Sequence, residues 1–299
     1  MKENRTDMVA TIGFFDGVHR GHLCLIEQVK AEAQARGMQS MLVTFDQHPR
    51  QVLHTDYQPQ LLSTLTEKQL LLQRTGVDRV AVLHFDQAMS QLPARDFMQQ
   101  VLRQQYGVRL LVMGYDHRFG HDTDATFDDY TRWGQECGIQ LMRAKELQGE
   151  HVSSSACRQL LAKGDIPGAS QLLGHAYLLQ GRVVHGFQVG QHLGFPTANL
   201  QPAEGKVIPA EGAYAVWATD SHGQRHGGML NIGRRPTLDN GNNVSIEVNL
   251  LGFDGNLYET DLCIEFVQRL RPERKFESLE ALKEQLRHDA DNTRKILQL

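Results

Sequence analysis

Two sets of residues in this sequence have the types and spacing that chemistry needs. The first is Gly13-Phe14-Phe15-Asp16-Gly17-Val18-His19-Arg20-Gly21-His22, with two histidines three residues apart among glycines. It follows an apolar run and precedes an amphipathic stretch. A glycine-rich turn between a strand and a helix lets backbone approach a ligand closely, and a helix N-terminus favours negative charge. Imidazole donors at that point suit a reacting polyphosphate. Taken singly, each histidine also fits an ordinary structural hydrogen bond. A metal centre there lacks a third ligand at sensible spacing.

The second set lies far downstream, in Gly194-Phe195-Pro196-Thr197-Ala198-Asn199-Leu200 and Val244-Ser245-Ile246-Glu247-Val248-Asn249-Leu250. Pro196 fixes its own φ and biases Phe195 toward extended backbone. If the chain stays extended, Thr197 and Asn199 project to one side. A hydroxyl and an amide oxygen are hard ligands that suit Mg²⁺ shared with ATP phosphates. A capped turn is the ordinary alternative. In the later segment Ser245, Glu247 and Asn249 share a face opposite four aliphatic residues. That pattern also fits an exposed strand face. Phosphorylating an alcohol needs a carboxylate to orient and deprotonate it, and Glu247 is the best-placed candidate.

The elements that must hold these residues read clearly. Met8 to Ile12, Ser40 to Phe45, Val80 to Phe85, Arg109 to Met113 and Ile139 to Arg143 read as strands. Helices read over Leu23 to Arg36, Thr66 to Thr75 (Thr66 as N-cap), Pro93 to Tyr106 and Phe127 to Cys137. This alternation predicts a doubly wound parallel sheet, whose ligands bind at the carboxyl ends of the strands. Two short helices follow, Ser155 to Lys163 and Pro167 to Leu173, and the pattern changes near Gly174 to Leu178. Beyond it, Gln180 to Val189, Ala213 to Thr219, Gly228 to Ile232, Val244 to Leu251 and Asp261 to Val267 read as short strands separated by turn residues. They predict a small antiparallel barrel, with a final helix from about Ser278. The fold class is therefore α/β plus β, with domains at 1–175 and 176–299.

Bulk properties narrow the function classes. The chain has 299 residues, 40% hydrophobic and 22% charged, as in ordinary globular proteins. A net charge of −4 gives no electrostatic case for nucleic acid or an anionic membrane. No apolar run approaches a membrane span. The polar start, Met1 to Asp7, does not read as a secretory signal. Cys24, Cys137, Cys157 and Cys263 are scattered without metal or disulfide spacing, so a reduced, cytoplasmic setting is expected.

Three further segments join the histidine pair: Thr44-Phe45-Asp46-Gln47-His48-Pro49, Gly114-Tyr115-Asp116-His117-Arg118-Phe119-Gly120, and Val152-Ser153-Ser154-Ser155-Ala156-Cys157-Arg158. The serines and Arg158 make an anion cradle at a helix start, or plain N-caps beside a surface arginine. Together these segments resemble the bacterial bifunctional riboflavin kinase/FAD synthetase family, whose N-terminal domain is a Rossmann-like nucleotidyltransferase. The downstream half resembles its riboflavin kinase domain through Gly-Phe-Pro-Thr-Ala-Asn, Gly212-Ala213-Tyr214, Asn231 to Thr237, the Glu247 strand and Arg269 to Phe276.

That resemblance implies two reactions, riboflavin to FMN and FMN to FAD, each using ATP and Mg²⁺. It places Gly13, Phe15, Asp16 and Gly17 around ATP, with His19 and His22 donating to phosphate oxygens. Ser154, Ser155 and Arg158 would hold the far phosphates. Phe45, His48, Pro49, Arg118 and Phe119 would border the flavin. Asp116 falls with them or on the nucleotide side, or serves an Asx turn. In the kinase half it implies Thr197 and Asn199 for Mg²⁺, Gly194 and Pro196 for ATP, Glu247 as base, and Arg271 near the flavin rather than as a snorkelling surface cation. Three positions depart from the family pattern: Gln47 stands for a proline, Gln191 for a basic residue and Glu259 for a glycine. A chain with one surviving activity, or a non-catalytic flavin or nucleotide binder, is the rival expectation.

Overall fold

Met8–Ile12 (β1) is apolar throughout and buried along its length, as a central parallel strand must be. The computed structural model, which describes residues 6–53, 60–115, 118–121, 124–147, 152–185, 194–234 and 244–299, places it in the middle of a sheet. Gln39–Phe45 (β2), Arg79–Leu83 (β3), Val108–Met113 (β4) and Gln140–Arg143 (β5) complete that sheet in the order β3-β2-β1-β4-β5, all parallel. The expected doubly wound sheet is thus present. Its strand order reverses at β1, between β2 and β4, and a crevice opens at such a switch point.

The helices run in chain order as Arg20–Arg36 (α1), Pro49–Leu53 (α2), Leu65–Arg74 (α3), Gln87–Ser90 (α4), Ala94–Asp96 (α5), Phe127–Cys137 (α6), Ser154–Lys163 (α7), Ile166–Leu173 (α8) and Leu279–Leu297 (α9). A π-wound segment, Phe97–Gln105, continues α5. The helix expected from Thr66 starts earlier, and its cap is Thr64. Thr64 Oγ1 accepts from the Glu67 N–H at 3.2 Å while Glu67 Oε2 accepts from the Thr64 N–H at 2.8 Å, a capping box that leaves Thr66 inside the helix.

Six described strands form the closed antiparallel barrel expected downstream: Leu178–Val184 (β6), Ala198–Pro202 (β7), Gly212–Thr219 (β8), Arg225–Arg234 (β9), Val244–Leu250 (β10) and Asp261–Pro272 (β11). They run β10-β7-β6-β11-β8-β9, with β9 paired back to β10. Closure leaves no open edge. β11 extends five residues beyond the expected Val267 because two register shifts against β8 break its alternation, between Phe266 and Gln268 and between Arg269 and Arg271. Ser278 caps α9 through the Ala281 N–H at 3.1 Å.

By contacts the chain divides into Met1–Gln60 with Lys68–Val152, and Leu61–Glu67 with Ser153–Leu299. This packing division is earlier than the pattern change at Gly174 to Leu178. The helices α7 and α8 continue the strand-helix rhythm, yet they bury Cys157, Leu161, Ile166 and Leu173 in one apolar cluster with barrel residues Leu179, Val183 and Phe266. The second unit also holds a fully buried ion pair, Lys206 Nζ to Glu67 Oε2 at 2.7 Å. Asp116, His117, residues 186–189, Gln191 and residues 235–237 lie outside the described residues.

Candidate active sites

The histidine segment occupies the turn that leaves β1 at the switch point. The Gly13 N–H donates to Val43 O at 3.0 Å, so the chain stays in the sheet for one residue more. It then turns sharply. Phe15 and Val18 both take positive φ, 54° and 43°, and Gly17 takes 73°. A β-branched residue there is an outlier costing about 1–3 kcal/mol, held because Phe15 and Val18 are almost fully buried. Stored strain of this kind collects at sites where a backbone must be held in one shape.

The turn delivers His19 as the N-cap of α1. Its Nδ1 accepts from the His22 N–H at 3.4 Å, which leaves Nε2 as the protonated nitrogen of the neutral ring. The two imidazoles stack with centroids 3.7 Å apart at 13°, and Phe15 meets His22 edge-on at 5.3 Å. Ring packing thus fixes both donors over the first turn of a helix of 17 residues. Asp16, expected among the ATP-binding residues, is buried in the same turn.

Beside this turn a cavity of about 520 Å³ is lined by Phe14, Phe45, His48, Pro49, Phe85, Phe97, Arg118 and Phe119. Five of the seven residues expected around the flavin are therefore together: Phe45, His48, Pro49, Arg118 and Phe119. Asp116 is undescribed, and Arg271 belongs to the other unit. Gly120 takes φ +84 at the rim, where a side chain would meet the Ala94 backbone at 2.5 Å. Phe14 packs edge-on against His48 at 4.6 Å, and Phe45 against Phe85 at 5.2 Å. A planar, apolar ring system with a polar tail fits such walls.

Sequence reasoning missed Lys68. It lies inside α3, buried, with Nζ donating to Phe45 O at 2.7 Å and sitting 3.8 Å from the Phe14 ring centroid. Burial pushes its pKa down to about 8, against the pull of Asp16 and Asp46. The signal was a lysine on the helical stripe of the buried Leu71 and Leu72. Burial alone would raise the Asp46 carboxyl. Hydrogen bonds from the exposed His84 ring and the Phe85 N–H outweigh it and lower the pKa below the usual value.

Ser154, Ser155 and Arg158 stand in the first turns of α7, in the second compact unit, and Ser153 is the cap, its Oγ accepting from the Ala156 N–H at 3.2 Å. The helix start expected at Ser155 therefore falls at Ser154.

In the barrel, Thr197 and Glu247 meet. Thr197 Oγ1 donates to Glu247 Oε2 at 3.3 Å, and Ser245 Oγ donates to Oε1 at 3.2 Å. Register pairs Glu247 with Asn199 on β7 and with Asn231 on β9. The polar face of β10 is not an exposed strand face. Ser245 and Asn249 are buried, and Glu247 opens into a cavity walled by Leu282, Leu286 and Asp289 of α9. Asn249 Nδ2 donates to Pro196 O at 2.7 Å and holds the Gly194 to Asn199 segment, which Gly194 enters in the left-handed region. That segment is extended, not a capped turn, from Ala198 onward.

Thr197 lines two cavities. One, about 290 Å³, holds Phe195, Glu247, Arg271, Glu273, Phe276 and Asp289. The other, about 460 Å³, holds Pro196, Phe253, Asp254, Asn256, Leu257 and Tyr258. Arg271 is no snorkelling cation: its Nε donates to the buried Asp289 Oδ2 at 2.9 Å. Burial pushes the Glu273 carboxyl above the usual carboxylate range, although Asn231 and Arg271 pull it down. The loop Phe253 to Tyr258 carried no motif, and only its place beside Thr197 marks it.

A doubly wound sheet with an imidazole pair at its switch point is joined in one chain to a barrel whose carboxylate lines one cavity and whose neighbouring hydroxyl lines that cavity and a second; together they define a two-module ATP-dependent transferase. Comparison with known proteins makes the family explicit. Residues 1–156 match the FAD synthetase family model and residues 173–297 the riboflavin kinase model. The chain is 39% identical to a bifunctional riboflavin kinase/FMN adenylyltransferase of Pseudomonas fluorescens and 36% identical to one of Escherichia coli K12, each over 94% of this chain and 90% of the relative. It belongs to the bifunctional riboflavin kinase/FMN adenylyltransferase family. Its fold also matches a crystal structure called a macrolide-efflux protein, from Streptococcus pneumoniae, with TM-score 0.84, 28% identity and coverage of 97% of this chain and 94% of that one. Among the described residues of this chain no helix is long and apolar enough to cross a membrane.

Proposed function

We propose that the chain makes FMN from riboflavin in its barrel unit and FAD from FMN at the histidine turn, with domains assigned at 176–299 and 1–175. In the first reaction Glu247 accepts the proton of the ribityl 5′-hydroxyl as that oxygen attacks the γ-phosphorus of ATP and ADP leaves. Riboflavin occupies the cavity of Arg271 and Phe276; ATP occupies the cavity of Pro196 and Tyr258. Thr197 lies between them. The observation that carries this reading is its Oγ1, 3.3 Å from Glu247 Oε2 and in the wall of both cavities. Thr197 and Asn199 offer a hydroxyl and an amide oxygen beside a carboxylate, a donor set that fits Mg²⁺. The ion, when bound, neutralises charge on the ATP phosphates. Phosphate oxygens of ATP would complete such a site.

In the second reaction a phosphate oxygen of FMN attacks the α-phosphorus of ATP, and pyrophosphate leaves. The nucleophile is already ionised, so no base is needed. His19 and His22 donate to the oxygens on which charge builds, and Ser154, Ser155 and Arg158 hold the outer phosphates. Phe45, His48, Pro49, Arg118 and Phe119 border the FMN. Such an enzyme works in the cytoplasm, where ATP is. Incubation with riboflavin, ATP and Mg²⁺, followed by chromatography of the flavins, tests the reading. FMN appears first and FAD after it. No FMN would defeat the barrel assignment, and no FAD from supplied FMN would defeat the assignment of the histidine turn.

A further inference from the structure

Lys68 is outside every motif, yet it joins the two strand ends that carry the flavin cavity of the first unit. Its Nζ bonds Phe45 O at the end of β2, at 2.7 Å, and lies 3.8 Å from the ring centroid of Phe14, just past the end of β1. Both aromatic residues are walls of the cavity. Only 2% of Lys68 is exposed, so it acts through them and not on solvent.

The charged groups that face it are Asp16, from the histidine turn, and Asp46, from the end of β2. His48 packs on Phe14, and His84 bonds Asp46. An ammonium there balances two carboxylates next to a site that must accept an anion. A desolvated cation against a ring face is also a strong contact.

Resting on the adenylyltransferase reading above, we propose that Lys68 is the positioning residue of the FMN site, its ammonium clamping Phe14 to the end of β2 and offsetting Asp16 and Asp46 so that an anionic flavin is admitted. Lys68 therefore governs FMN affinity more than turnover. Its depressed pKa adds a signature. The ammonium is present below about 8 and is lost as pH rises through that value, so the clamp weakens in the same direction.

The test measures FAD formation from FMN and ATP, with riboflavin phosphorylation by the same preparation as an internal check of folding. Lys68→Met raises KM for FMN about tenfold and leaves kcat within about twofold, with riboflavin phosphorylation unchanged. Lys68→Arg keeps the charge and restores KM to within about threefold of the native value. Between pH 7 and 9 the KM for FMN of the native chain climbs. In both variants that climb is lost, because His48 and His84 remain and only the titrating amine is gone. An unchanged KM in Lys68→Met overturns the proposal, as does a fall in kcat alone together with lower thermal stability. If Lys68→Met does not fold, the native pH profile decides, and a flat one overturns the clamp. A native chain that makes no FAD at all would instead defeat the adenylyltransferase reading itself.

Discussion

The cavity beside the histidine turn is walled by rings and cations: Phe14, Phe45, Phe85, Arg50 and Arg118. The barrel cavity is walled by Glu247, Glu273 and Asp289, balanced by Arg271 and Arg274. On the proposed assignment of FMN to the first cavity and riboflavin to the second, the two substrates explain the contrast. An alkyl phosphate is a nucleophile at neutral pH, so its site has to supply charge, shape and a rigid frame. An alcohol is not, so its site needs a carboxylate at the reacting oxygen, and further charges to keep that carboxylate in place. The architectures differ accordingly. Parallel strands end together and present a common rim of backbone, suited to gripping phosphates. Antiparallel neighbours bring Asn199, Glu247 and Asn231 side by side in register, suited to a precise polar cluster.

The sharpest way to break the contrast is to remove the proposed base. Glu247→Gln keeps the size of the side chain and an oxygen for the Thr197 hydroxyl but cannot take the proton. FMN formation falls by about 10²–10⁴-fold, and FAD formation from supplied FMN stays within about twofold. Assays with each flavin separately check this. Loss of both activities in a folded chain would show that the two sites are not chemically separate. His22→Ala is the converse. It removes one of two stacked donors and lowers FAD formation by about 10²–10³-fold, the usual scale for one donor to a developing anion, while riboflavin phosphorylation is unaffected. A fall restricted to KM for ATP would reassign His22 from stabilising charge in the transition state to ground-state binding.

A milder change separates base from scaffold inside the barrel. Asp289 holds Arg271 Nε at 2.9 Å and accepts from Gln285 Nε2 at 2.6 Å. In Asp289→Ala the guanidinium loses the partner that fixes it in the cavity wall. KM for riboflavin rises about tenfold, the scale of one hydrogen bond to a charged group, and kcat changes little. An equal loss of kcat would mean that Arg271 touches the reacting groups and does more than shape the flavin wall.

How much of this was legible depended on whether a residue's role is local. Strand alternation, the Phe127–Cys137 helix and the glycine-rich turn are local, and the sequence carried them directly. Glu247 was legible because a lone carboxylate on a patterned strand is chemically conspicuous, although its place in a cavity walled by α9 was not, since that helix arrives from about 30 residues downstream and its polar partners sit at no fixed spacing. Lys68 was hidden for the same reason. Its partners, Phe14 and Phe45, lie on two other elements, and within α3 only its place on the stripe of Leu71 and Leu72 sets it apart from a solvated lysine. The far end of β11 was lost because its bulges break the period of two on which strand reading rests.

One departure was visible in the sequence but had no meaning until its backbone was seen. Glu259 stands where the family resemblance leads one to expect glycine, and it takes φ +61. It cannot relax, because its N–H donates to Val183 O at 3.0 Å and Val183 donates back to Thr260 O at 2.8 Å. A left-handed residue other than glycine costs about 1–2 kcal/mol, while glycine gives up about 0.5–1 kcal/mol more chain entropy on folding. Glu259→Gly therefore stabilises the barrel unit by a net amount of about 0.5–1 kcal/mol, read as a rise of about 1–4 °C in its melting temperature. Its neighbour Tyr258 lines the nucleotide-side cavity and stacks on His185 with centroids 4.0 Å apart. KM for ATP in riboflavin phosphorylation stays constant if the loop shape is already set by β6, and FAD formation is untouched. A lower melting temperature would mean that the Glu259 side chain contributes more than its strained backbone costs. A higher KM for ATP would make the strain part of how the barrel grips its nucleotide and, with the sheet also carrying a strained turn at Phe15 and Val18, would narrow the contrast between the two sites.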